Sequence, residues 1–490
     1  MSDRKSEGGD DDTPQYQFEY IDWTTPLPDG FLPPPATDPF TWTPFQKNVA
    51  LTVCCMSTLV AAAGAGAYTS GIPQMSEQWN IGRVPLMTGV SAFTGGFAIA
   101  PMALAPVSET YGRLPVFIVS HILYIITHLA MALCNNFPGM IMIRIFSGIA
   151  SSTFSSISGG LISDIYHTQD RGFPMAVFSA IAVFGTGLGP LIGGLIVGSD
   201  LSWRWIHWVQ LILCGVFLIP VFLTLKETRG SVLLSRRAKA LNAFLNDHPD
   251  ISNTRYKAHV DSARESLSIL IRTSLTRPFL MLCTEPVVFL FSLWTAFAWG
   301  LLYLFLQGIP IVFTLYHSFT PLQLAAVFTA MCAGTIPAFI LTTILDRHVP
   351  SRIRDSPDSR LFAASTLGLL LPAGIFMFFY TANLAPAIPG AAVGLVTIGV
   401  FTIYLAVFNY FCDCYHRYSS SALAAQSFCR NVLAAVFPPA VDGMYKALGK
   451  EGMGALLGGV AAGLGVVPWL LILWGKRIRE RSAWVGKTEE

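Results

Sequence analysis

Long apolar segments separated by short polar ones follow one another along most of the chain. Each is close to the ~20 residues that a helix needs to cross about 30 Å of hydrocarbon, so the pattern predicts membrane-spanning helices. The predicted fold class is an all-α membrane protein with twelve transmembrane helices. The spans are 48–70, 84–107, 115–134, 139–162, 174–197, 206–225, 284–313, 321–345, 361–381, 388–411, 421–442 and 453–475.

The spans divide into two groups of six around a polar centre, which indicates two six-helix pseudo-repeats. An acid and then an arginine close the second span of each half, Glu109 with Arg113 in the first and Asp346 with Arg347 in the second. Parallel repeats of this kind favour a substrate site between the halves, near the middle of the membrane. The predicted domains are a tail over 1–47, a bundle over 48–225, a linker over 226–278, a second bundle over 279–475 and a basic tail over 476–490.

Two of these segments lie outside the bundles and have a distinctive composition. Residues 1–47 are polar and rich in proline, and such a segment cannot build a core, so we expect a disordered cytoplasmic tail. Residues 231–245 of the linker alternate leucines with basic residues, as an amphipathic helix lying along the inner membrane surface would. A solvated linker is the alternative interpretation.

Lysine and arginine gather in alternate loops, and this asymmetry predicts the orientation of the spans. With both termini cytoplasmic, the outer side receives Arg83, Arg204, Lys446 and Lys450. The inner side receives Arg113, Arg171, Arg347, Arg352, Arg354, Arg360, Arg417, Lys476, Arg477, Arg479, Arg481 and Lys487. The positive-inside rule therefore predicts cytoplasmic termini and an even number of spans.

Composition agrees with a lipid environment and excludes several function classes. Hydrophobic residues make up 53% of the chain and charged residues 12%, whereas a soluble domain has about 25% charged residues. The net charge of +2 is not gathered on one face, so no nucleic-acid partner is predicted. The nine cysteines lie mostly in apolar segments without paired metal-ligand spacing. We expect neither a metal nor a cofactor.

The fifth span contains the sequence GTGLGPLIGG. Gly185, Gly189 and Gly193 recur every fourth residue, so one helix face has no side chains and a neighbouring backbone can approach it closely. Pro190 removes one backbone donor and bends the helix. An ordinary packing seam explains the glycines alone, but it explains their combination with Pro190 and Gly194 less well. We interpret the five residues as a conformational motif.

Arg144 lies inside the fourth span and begins a polar stripe. Ser151 and Ser155 continue its face at helical spacing, together with small residues. A permanent charge at that depth must face a hydrated cavity or a partner. Arg144 is therefore a candidate for transport or coupling, and the two serines are candidates for the cargo cavity. Purely structural pairing of the arginine is the alternative.

Arg430 poses the same problem in the eleventh span, where Gln426 precedes it by one turn. We expect Asp413 and Tyr410 of the preceding span to lie near Arg430. In the seventh span Trp299, Tyr303 and Gln307 stand four residues apart and present one aromatic face with a polar tip, which suits an amphiphilic cargo. Lipid-facing packing is the alternative for that face. Glu285, near the start of the same span, is the acid with the most buried sequence context.

The sequence lacks the motifs of nucleotide-driven transporters and of hydrolases, which indicates that nucleotide hydrolysis is not the energy source. The sequence has no G-x-x-x-x-G-K-[ST], so no loop cradles a nucleotide, and it has neither G-x-S-x-G nor H-E-x-x-H. We therefore predict a secondary transporter, and not an enzyme. Its expected partners are a small-molecule cargo, protons and the lipid bilayer.

Several segments together resemble the major facilitator superfamily, and within it the twelve-span drug:proton antiporters of fungi. Residues 108–113, SETYGR, are similar to that family's loop between spans two and three, which implies a conformational role for Glu109, Gly112 and Arg113. Arg144 and the GTGLGPLIGG segment are similar to the motifs of its fourth and fifth spans. Further matches are KETRGSVLLSRRAKAL, RPFLMLCTEP, DCYHRYSSSALAAQSFCRN and GKRIRERS.

The resemblance implies proton-coupled efflux of an amphiphilic molecule by alternating access, the cargo being a drug, a toxin or other secondary metabolite, or a polyamine. It implies a monomer in the plasma membrane, with the vacuolar membrane as the alternative. The first span lacks the acid that some relatives use to bind the proton, so the proton carrier stays unassigned. Uptake or facilitated diffusion of a small organic solute is the second hypothesis, and a non-transporting membrane sensor is the third.

Overall fold

The computed structural model describes residues 17–28, 31, 37–167, 169–248, 254–262, 266–351, 353–354, 356–415, 418–482 and 484–485. Of the predicted tail, residues 1–16, 29–30 and 32–36 lie outside the described residues, as do 483 and 486–490 of the basic tail. Of the basic residues that predict orientation, Arg352, Arg417 and Lys487 also lie outside them.

Six crossings form the first half, and all begin and end within a few residues of the predicted span except the first, which was predicted to end at 70 and runs to Trp79. The first crossing starts at a capping box in which the Thr43 hydroxyl and the Gln46 side chain each bind the other's backbone N–H. It bends at a 3₁₀ turn, Tyr68–Gly71, and continues as a short second helix. The helices are α1 (Pro44–Ala67), α2 (Ile72–Trp79), α3 (Arg83–Tyr111), α4 (Arg113–Leu133), α5 (Phe137–Ile165), α6 (Gly172–Gly198) and α7 (Arg204–Thr224).

A linker and the second half follow. In the linker lie α8 (Gly230–Asp247), the strand β2 (Thr254–Lys257), α9 (His259–Ser262) and α10 (Leu267–Thr284). The second half consists of α11 (Pro286–His317), α12 (Pro321–Val327), α13 (Thr329–Arg347), a 3₁₀ turn (Pro357–Arg360), α14 (Leu361–Leu367), α15 (Leu370–Tyr380), α16 (Ala387–Tyr415), α17 (Ser419–Leu464) and α18 (Val467–Arg479). Helices α12 with α13, and α14 with α15, each make one crossing.

The last apolar segment crosses the membrane twice. Eleven helical segments of the described chain are long and apolar enough to span a bilayer, and the last, Ser419–Arg479, holds 61 residues. Straight, it would extend about 90 Å, three times the hydrocarbon thickness. It is broken at Gly449, whose φ of 64° and ψ of −176° are not helical. The rings of Tyr418 and Trp484, which flank the segment, lie 5.0 Å apart, so the chain returns to its starting side and completes the twelve predicted spans.

The described ends of the chain and the linker therefore share one side of the membrane, here named the linker face. At this face an ion pair joins Arg360 Nε to Asp413 Oδ2 at 2.8 Å. A second joins Arg479 to Asp358, next to the start of α14. The two pairs join three of the last four crossings, because Asp358 and Arg360 share the turn before α14, while Asp413 lies in α16 and Arg479 in α18.

The N-terminal segment is folded onto the linker, which differs from the predicted disordered tail. Strand β1 (Gln17–Tyr20) pairs in parallel with β2. Ile21 is 1% exposed and packs in a small cluster with Leu241 and Leu245 of α8 and with Ala258. The expectation of disorder therefore does not hold for residues 17–28. The overall composition of the proline-rich segment gave no sign of this short apolar stretch, because the residues that cover it lie far away in the sequence.

Helix α8 covers the segment that was expected to be amphipathic, but its apolar face is turned toward protein. Leu241 and Leu245 contact Ile21, and the Asn242 side chain joins the helix to β2. Its Nδ2 donates to Tyr256 O and its Oδ1 accepts from Tyr256 N, both at 2.8 Å. Neither an interfacial membrane helix nor a solvated linker describes this arrangement, because the chain's own N-terminal segment covers the leucines.

Ile21→Asp should release β1 from β2, because a buried carboxylate without a partner costs more free energy than a four-residue strand pairing returns. Backbone hydrogen exchange in the full-length protein is the measurement, and the amides of β1 and of residue 21, which donates to Lys257 O, should lose protection. Phe18→Asp is the matched control, since Phe18 is 60% exposed on the same strand. Unchanged protection in Ile21→Asp would show that the small cluster does not hold the strand.

Candidate functional site

A cavity of about 590 Å³ opens between the two halves at the linker face. This volume lies within the range of small-molecule sites. Helices α3 and α5 line it from the first half, α16 and α17 from the second, and α10 contributes from the linker. Its polar lining includes Glu109, Arg113, Ser152, Ser155, Ser156, Ser163, Asp164, Arg171, Arg229, Thr273, Ser274, Arg277, Ser419, Ser420, Ser421, Gln426, Ser427 and Arg430.

Toward the opposite face the halves touch along α6. A Cβ added at Gly194 would lie 2.6 Å from Ala325 Cβ of α12, and one at Gly187 would lie 2.7 Å from Met331 Cβ of α13. At Gly198 the distance to Leu322 Cβ would be 3.3 Å. Real side chains do not approach as closely as at Gly194 and Gly187, so these two glycines are what allows this contact between halves.

A second contact between halves closes the same side along α3. Ser91 Oγ donates to the Ala435 carbonyl of α17 at 2.6 Å. Nearer the opposite face, Arg83 Nη2 donates to Gln307 Oε1 of α11 at 2.5 Å. The halves are thus joined on one side of the membrane and separated by the cavity on the other.

The predicted glycine face of α6 lies against α1, within the first half. The contact is tightest at Gly189, where an added Cβ would collide with the Ala63 carbonyl oxygen and lie 2.8 Å from the Ala67 nitrogen. Gly185 and Gly193 repeat it one turn away on either side. Glycine therefore serves two faces of α6, one packed inside its own half and one packed on the other half.

Pro190 fits into the same seam without breaking the helix. A Cβ added at Gly66 of α1 would lie 2.8 Å from Pro190 Cδ. The Ser70 hydroxyl donates to the Pro190 carbonyl at 3.2 Å, which ties the turn after α1 to α6. The proline is thus part of the contact with α1, while its neighbour Gly194 belongs to the contact with the second half.

Arg144 is fully buried inside the first half and does not line the cavity. Its Nε donates to Gly89 O at 3.0 Å, Nη1 to Gly64 O at 3.1 Å and Nη2 to Ala65 O at 3.3 Å. The guanidinium carbon also lies 4.6 Å from the centroid of the Tyr68 ring. These contacts favour the structural alternative, because the guanidinium joins α5 to the backbones of α1 and α3.

The serine stripe beyond Arg144 divides between two environments. Ser151 is buried and donates to the Gly148 carbonyl of its own helix at 3.2 Å. Ser155, one turn further, lines the cavity. Only the second serine is therefore placed where a cargo could meet it.

Arg430 is 4% exposed and lines the cavity. Its guanidinium carbon lies 4.5 Å from the Trp299 ring centroid and 4.8 Å from that of Tyr404. The Nε atom has no hydrogen-bond partner among the described residues, nor has Nε2 of Gln426 one turn earlier. Tyr404 was not singled out by sequence, because an aromatic residue in an apolar span gives no signal of the helix it faces.

The aromatic face of α11 is turned toward protein and not toward lipid. Trp299, Tyr303 and Gln307 are 7%, 5% and 3% exposed, so the lipid-facing alternative does not hold. None of the three lines the cavity. Trp299 reaches it indirectly, through its contact with Arg430, and Gln307 belongs to the contact between halves.

The structure does not bring Asp413 and Tyr410 to Arg430, contrary to the expectation. Asp413 pairs with Arg360, and Tyr410 Oη accepts from Arg479 Nη1 at 3.0 Å. Both residues lie on the side of α16 that faces α14 and α18, so their charges are used within the second half. A sequence places residues on a helix face but does not show which neighbour that face meets.

Glu285 caps the junction between α10 and α11 and is 4% exposed. The Tyr415 hydroxyl donates to its Oε2 at 3.5 Å, which is the outer limit of a hydrogen bond. Glu285 does not line the cavity. Glu285 is buried, as predicted, but it has no contact with the cavity in which a cargo would bind.

A charge network closes the linker-face end of the first half. Arg113 Nε pairs with Asp164 Oδ2 at 3.1 Å and Arg229 Nη1 with Asp164 Oδ1 at 3.3 Å. Glu109 lies 3.7 Å from each arginine. The four side chains come from α3, α4, α5 and the start of the linker, so the linker is bound to the bundle. Sequence reasoning missed Asp164, although an acid at the end of the fourth span was a usable signal.

Gly112 and Glu227 extend this network through the backbone. Gly112 has φ of 110°, a conformation that side chains disfavour, and an added Cβ would collide with Glu227 Oε2. Glu227 Oε1 accepts from Arg113 N at 2.9 Å, and so caps the start of α4. The glycine in SETYGR is therefore required both for the turn and for the approach of the linker carboxylate.

Two bundles of six helices around a cavity that reaches one face define a membrane transporter. The chain belongs to the Major Facilitator Superfamily, whose family model matches residues 54–438. This confirms the predicted family and fold class, and the chain is a transporter and not an enzyme.

Relatives of similar length include fungal transporters. Over 459 residues the chain is 30% identical to a citrinin biosynthesis cluster MFS transporter of Monascus ruber, covering 91% of this chain and 89% of that one. Over 458 residues it is 29% identical to a multidrug transporter of Candida glabrata, covering 91% and 76%. The solved proton:xylose symporter XylE superposes with a TM-score of 0.63 over 89% of this chain and 97% of that one. At 16% identity this last likeness shows the fold alone.

Gly189→Leu should abolish transport while the protein still inserts, because the side chain collides with the α1 backbone without lowering hydrophobicity. Flux per inserted molecule and the melting temperature of the purified protein are the measurements. Gly215→Leu is the matched control, since nothing lies within 4 Å of a Cβ added at this glycine of α7. Normal flux in a well-expressed Gly189→Leu would mean that α1 and α6 separate freely.

Arg144→Ala should eliminate transport and lower the melting temperature, because three buried carbonyls each lose a donor at about 1–3 kcal/mol apiece. Arg144→Lys should still fold but transport poorly, since an ammonium keeps the charge and loses the planar fork that reaches two helices at once. Wild-type flux in Arg144→Ala at wild-type surface abundance would show that the residue is only a structural anchor that transport does not need.

Proposed function

We propose that the chain is a secondary active exporter, which binds an amphiphilic small molecule from the cytoplasm and releases it on the other side in exchange for protons. The observation that carries the proposal is the cavity between the halves, open at the linker face and closed by glycine contacts toward the other. An exporter must load from the cytoplasm, and this is the loading geometry if the linker face is cytoplasmic.

The distribution of basic residues supports a cytoplasmic linker face. Arg113, Arg171, Arg360 and Arg479 lie at that face, whereas Arg83 and Arg204 lie at the other. The positive-inside rule then supports the proposal that both termini are cytoplasmic. We further propose a monomer, because the described residues form both halves around one cavity, and we place it in the plasma membrane on the resemblance to fungal exporters.

The relatives support efflux over uptake. One is named a multidrug transporter and another belongs to a citrinin biosynthesis cluster. A citrinin-cluster transporter is a reason to include secondary metabolites and toxins among the cargoes of this chain. The alternative of uptake or facilitated diffusion is separated from export by the direction of flux alone.

The carboxylates that face the cavity are the candidates for carrying the proton. Among the described residues that line it these are Glu109 and Asp164, whereas Glu285 and Asp413 do not reach it. Asp164 is held by two arginines at close distance. Glu109 is 43% exposed and lies 3.7 Å from each of them, so it is the less closely paired of the two carboxylates and water in the cavity reaches it. We therefore place proton exchange at Glu109.

Efflux in a host that lacks its own exporters tests the function. Three probes are used: a cationic dye, a neutral dye and an organic acid. Cells that express the chain should accumulate less of at least one of them than control cells do. Collapse of the proton gradient should remove the difference. Gradient-independent efflux would contradict antiport, and higher accumulation would favour import.

Glu109→Gln should uncouple this efflux from the gradient, because the amide keeps the size of the side chain and cannot take up a proton. Export measured against pH should become flat, with surface abundance unchanged. Glu77→Gln, at an exposed acid of α2, is the matched control and should retain the wild-type pH dependence. Intact coupling in Glu109→Gln would exclude this carboxylate as the proton site.

A further inference from the structure

The cavity carries a surplus of positive charge. Five arginines are among its described lining residues, against two carboxylates, Glu109 and Asp164. Both carboxylates are already paired with Arg113 and Arg229. Three cations are therefore left without a described carboxylate, and they are Arg171, Arg277 and Arg430. A guanidinium stays charged at any physiological pH, so the surplus does not depend on titration.

Arg430 is the cation best built to bind a ligand. It is 4% exposed, and no described residue forms an ion pair or a side-chain hydrogen bond with it. Trp299 and Tyr404 lie against its guanidinium, and its Nε donor has no hydrogen-bond partner among the described residues. Buried polar groups are normally hydrogen-bonded, because an unpaired one costs free energy. Arg144, with three carbonyl acceptors, shows how the same fold satisfies the donors of a buried arginine with its own backbone.

The surroundings of Arg430 add neutral donors and acceptors. Gln426 lines the cavity one turn earlier, and its Nε2 has no described partner. Ser155 and Ser427 offer hydroxyls from the two halves. Such groups orient a polar head without adding a charge that would cancel the arginine.

We infer that the cargo of this cavity is an organic anion, a drug-sized carboxylate whose two oxygens take up the free donors of Arg430. The guanidinium fork matches a carboxylate in bidentate fashion. The inference rests on the proposed function for its direction and narrows the cargo within it. A polyamine or a cationic drug would add positive charge to a site that already has a surplus of it. An inside-negative membrane potential would also drive a carboxylate outward.

Binding of four probes with one aromatic body tests the head-group preference in the full-length protein, purified in lipid nanodiscs without any gradient. The probes are naphthylacetate, naphthylacetamide, naphthylethylamine and naphthyl phosphate. Dissociation constants come from calorimetry. Naphthylacetate should bind roughly 10-fold or more tightly than the amide and the amine, as expected for a charge-assisted bond. Arg430→Gln should weaken naphthylacetate by roughly 10- to 100-fold and leave the amide within about threefold.

Two further variants keep the test decisive if Arg430→Gln lowers the melting temperature. Arg430→Lys keeps the charge and loses the fork, so its preference for naphthylacetate should be intermediate. Arg272→Gln, at an exposed arginine of α10 outside the cavity, should behave as wild type.

Several results would overturn the inference. They are tighter binding of the amine than of naphthylacetate, equal weakening of all probes by Arg430→Gln, tighter binding of the phosphate, or no binding of any probe. Because binding is measured without a gradient, these results are independent of the direction and the coupling of transport. A failed efflux assay would contradict the proposed function and leave the head-group preference standing.

Discussion

The close approach of α6 to α1 on one side, and to α12 and α13 on another, is the constraint on which the rest of the structure depends. In lipid there is no hydrophobic drive to bring helices together, so association relies on van der Waals contact between surfaces that fit. Glycines on one side of α6 admit the backbone of α1, as at Gly189, and glycines on another side admit α12 and α13, as at Gly194. One helix therefore belongs to the rigid first half and also forms the seam at which the halves meet. Because that seam closes only part of the depth, the cavity remains on the linker side.

Two buried arginines show how one residue type takes different roles in the same bilayer. Arg144 is surrounded by backbone carbonyls and holds three helices together. Arg430 rests on aromatic rings and is among the residues that line the cavity. The cost of burying a charge is met by protein in the first case. In the second case a cargo with two oxygens would offset the cost of burying the charge. The charge of the cargo would then contribute to the stability of the loaded transporter.

Sequence was informative where the signal is local. The span boundaries follow largely from apolar length, and the glycine spacing in GTGLGPLIGG predicts a helix face that a neighbouring backbone can approach, which in the structure is that of α1. The sequence did not predict which residues, distant from one another in the chain, are in contact. Asp413 lies in the right span but meets Arg360, and the leucines of α8 meet Ile21 of a segment expected to be disordered. A helix face can be read from periodicity, whereas the neighbour that covers it is decided by the tertiary arrangement.

A disulfide across the seam tests alternating access around α6 most directly. In a protein with the exposed Cys283 replaced by serine, Gly198→Cys and Leu322→Cys would bring two thiols together, since the Cβ distance would be 3.3 Å, close to the separation that a disulfide needs. The oxidised protein should bind cargo from the linker face but not transport it, and reduction should restore flux to the level of the uncrosslinked double variant. Undiminished transport with the crosslink complete would contradict separation of the halves at this seam.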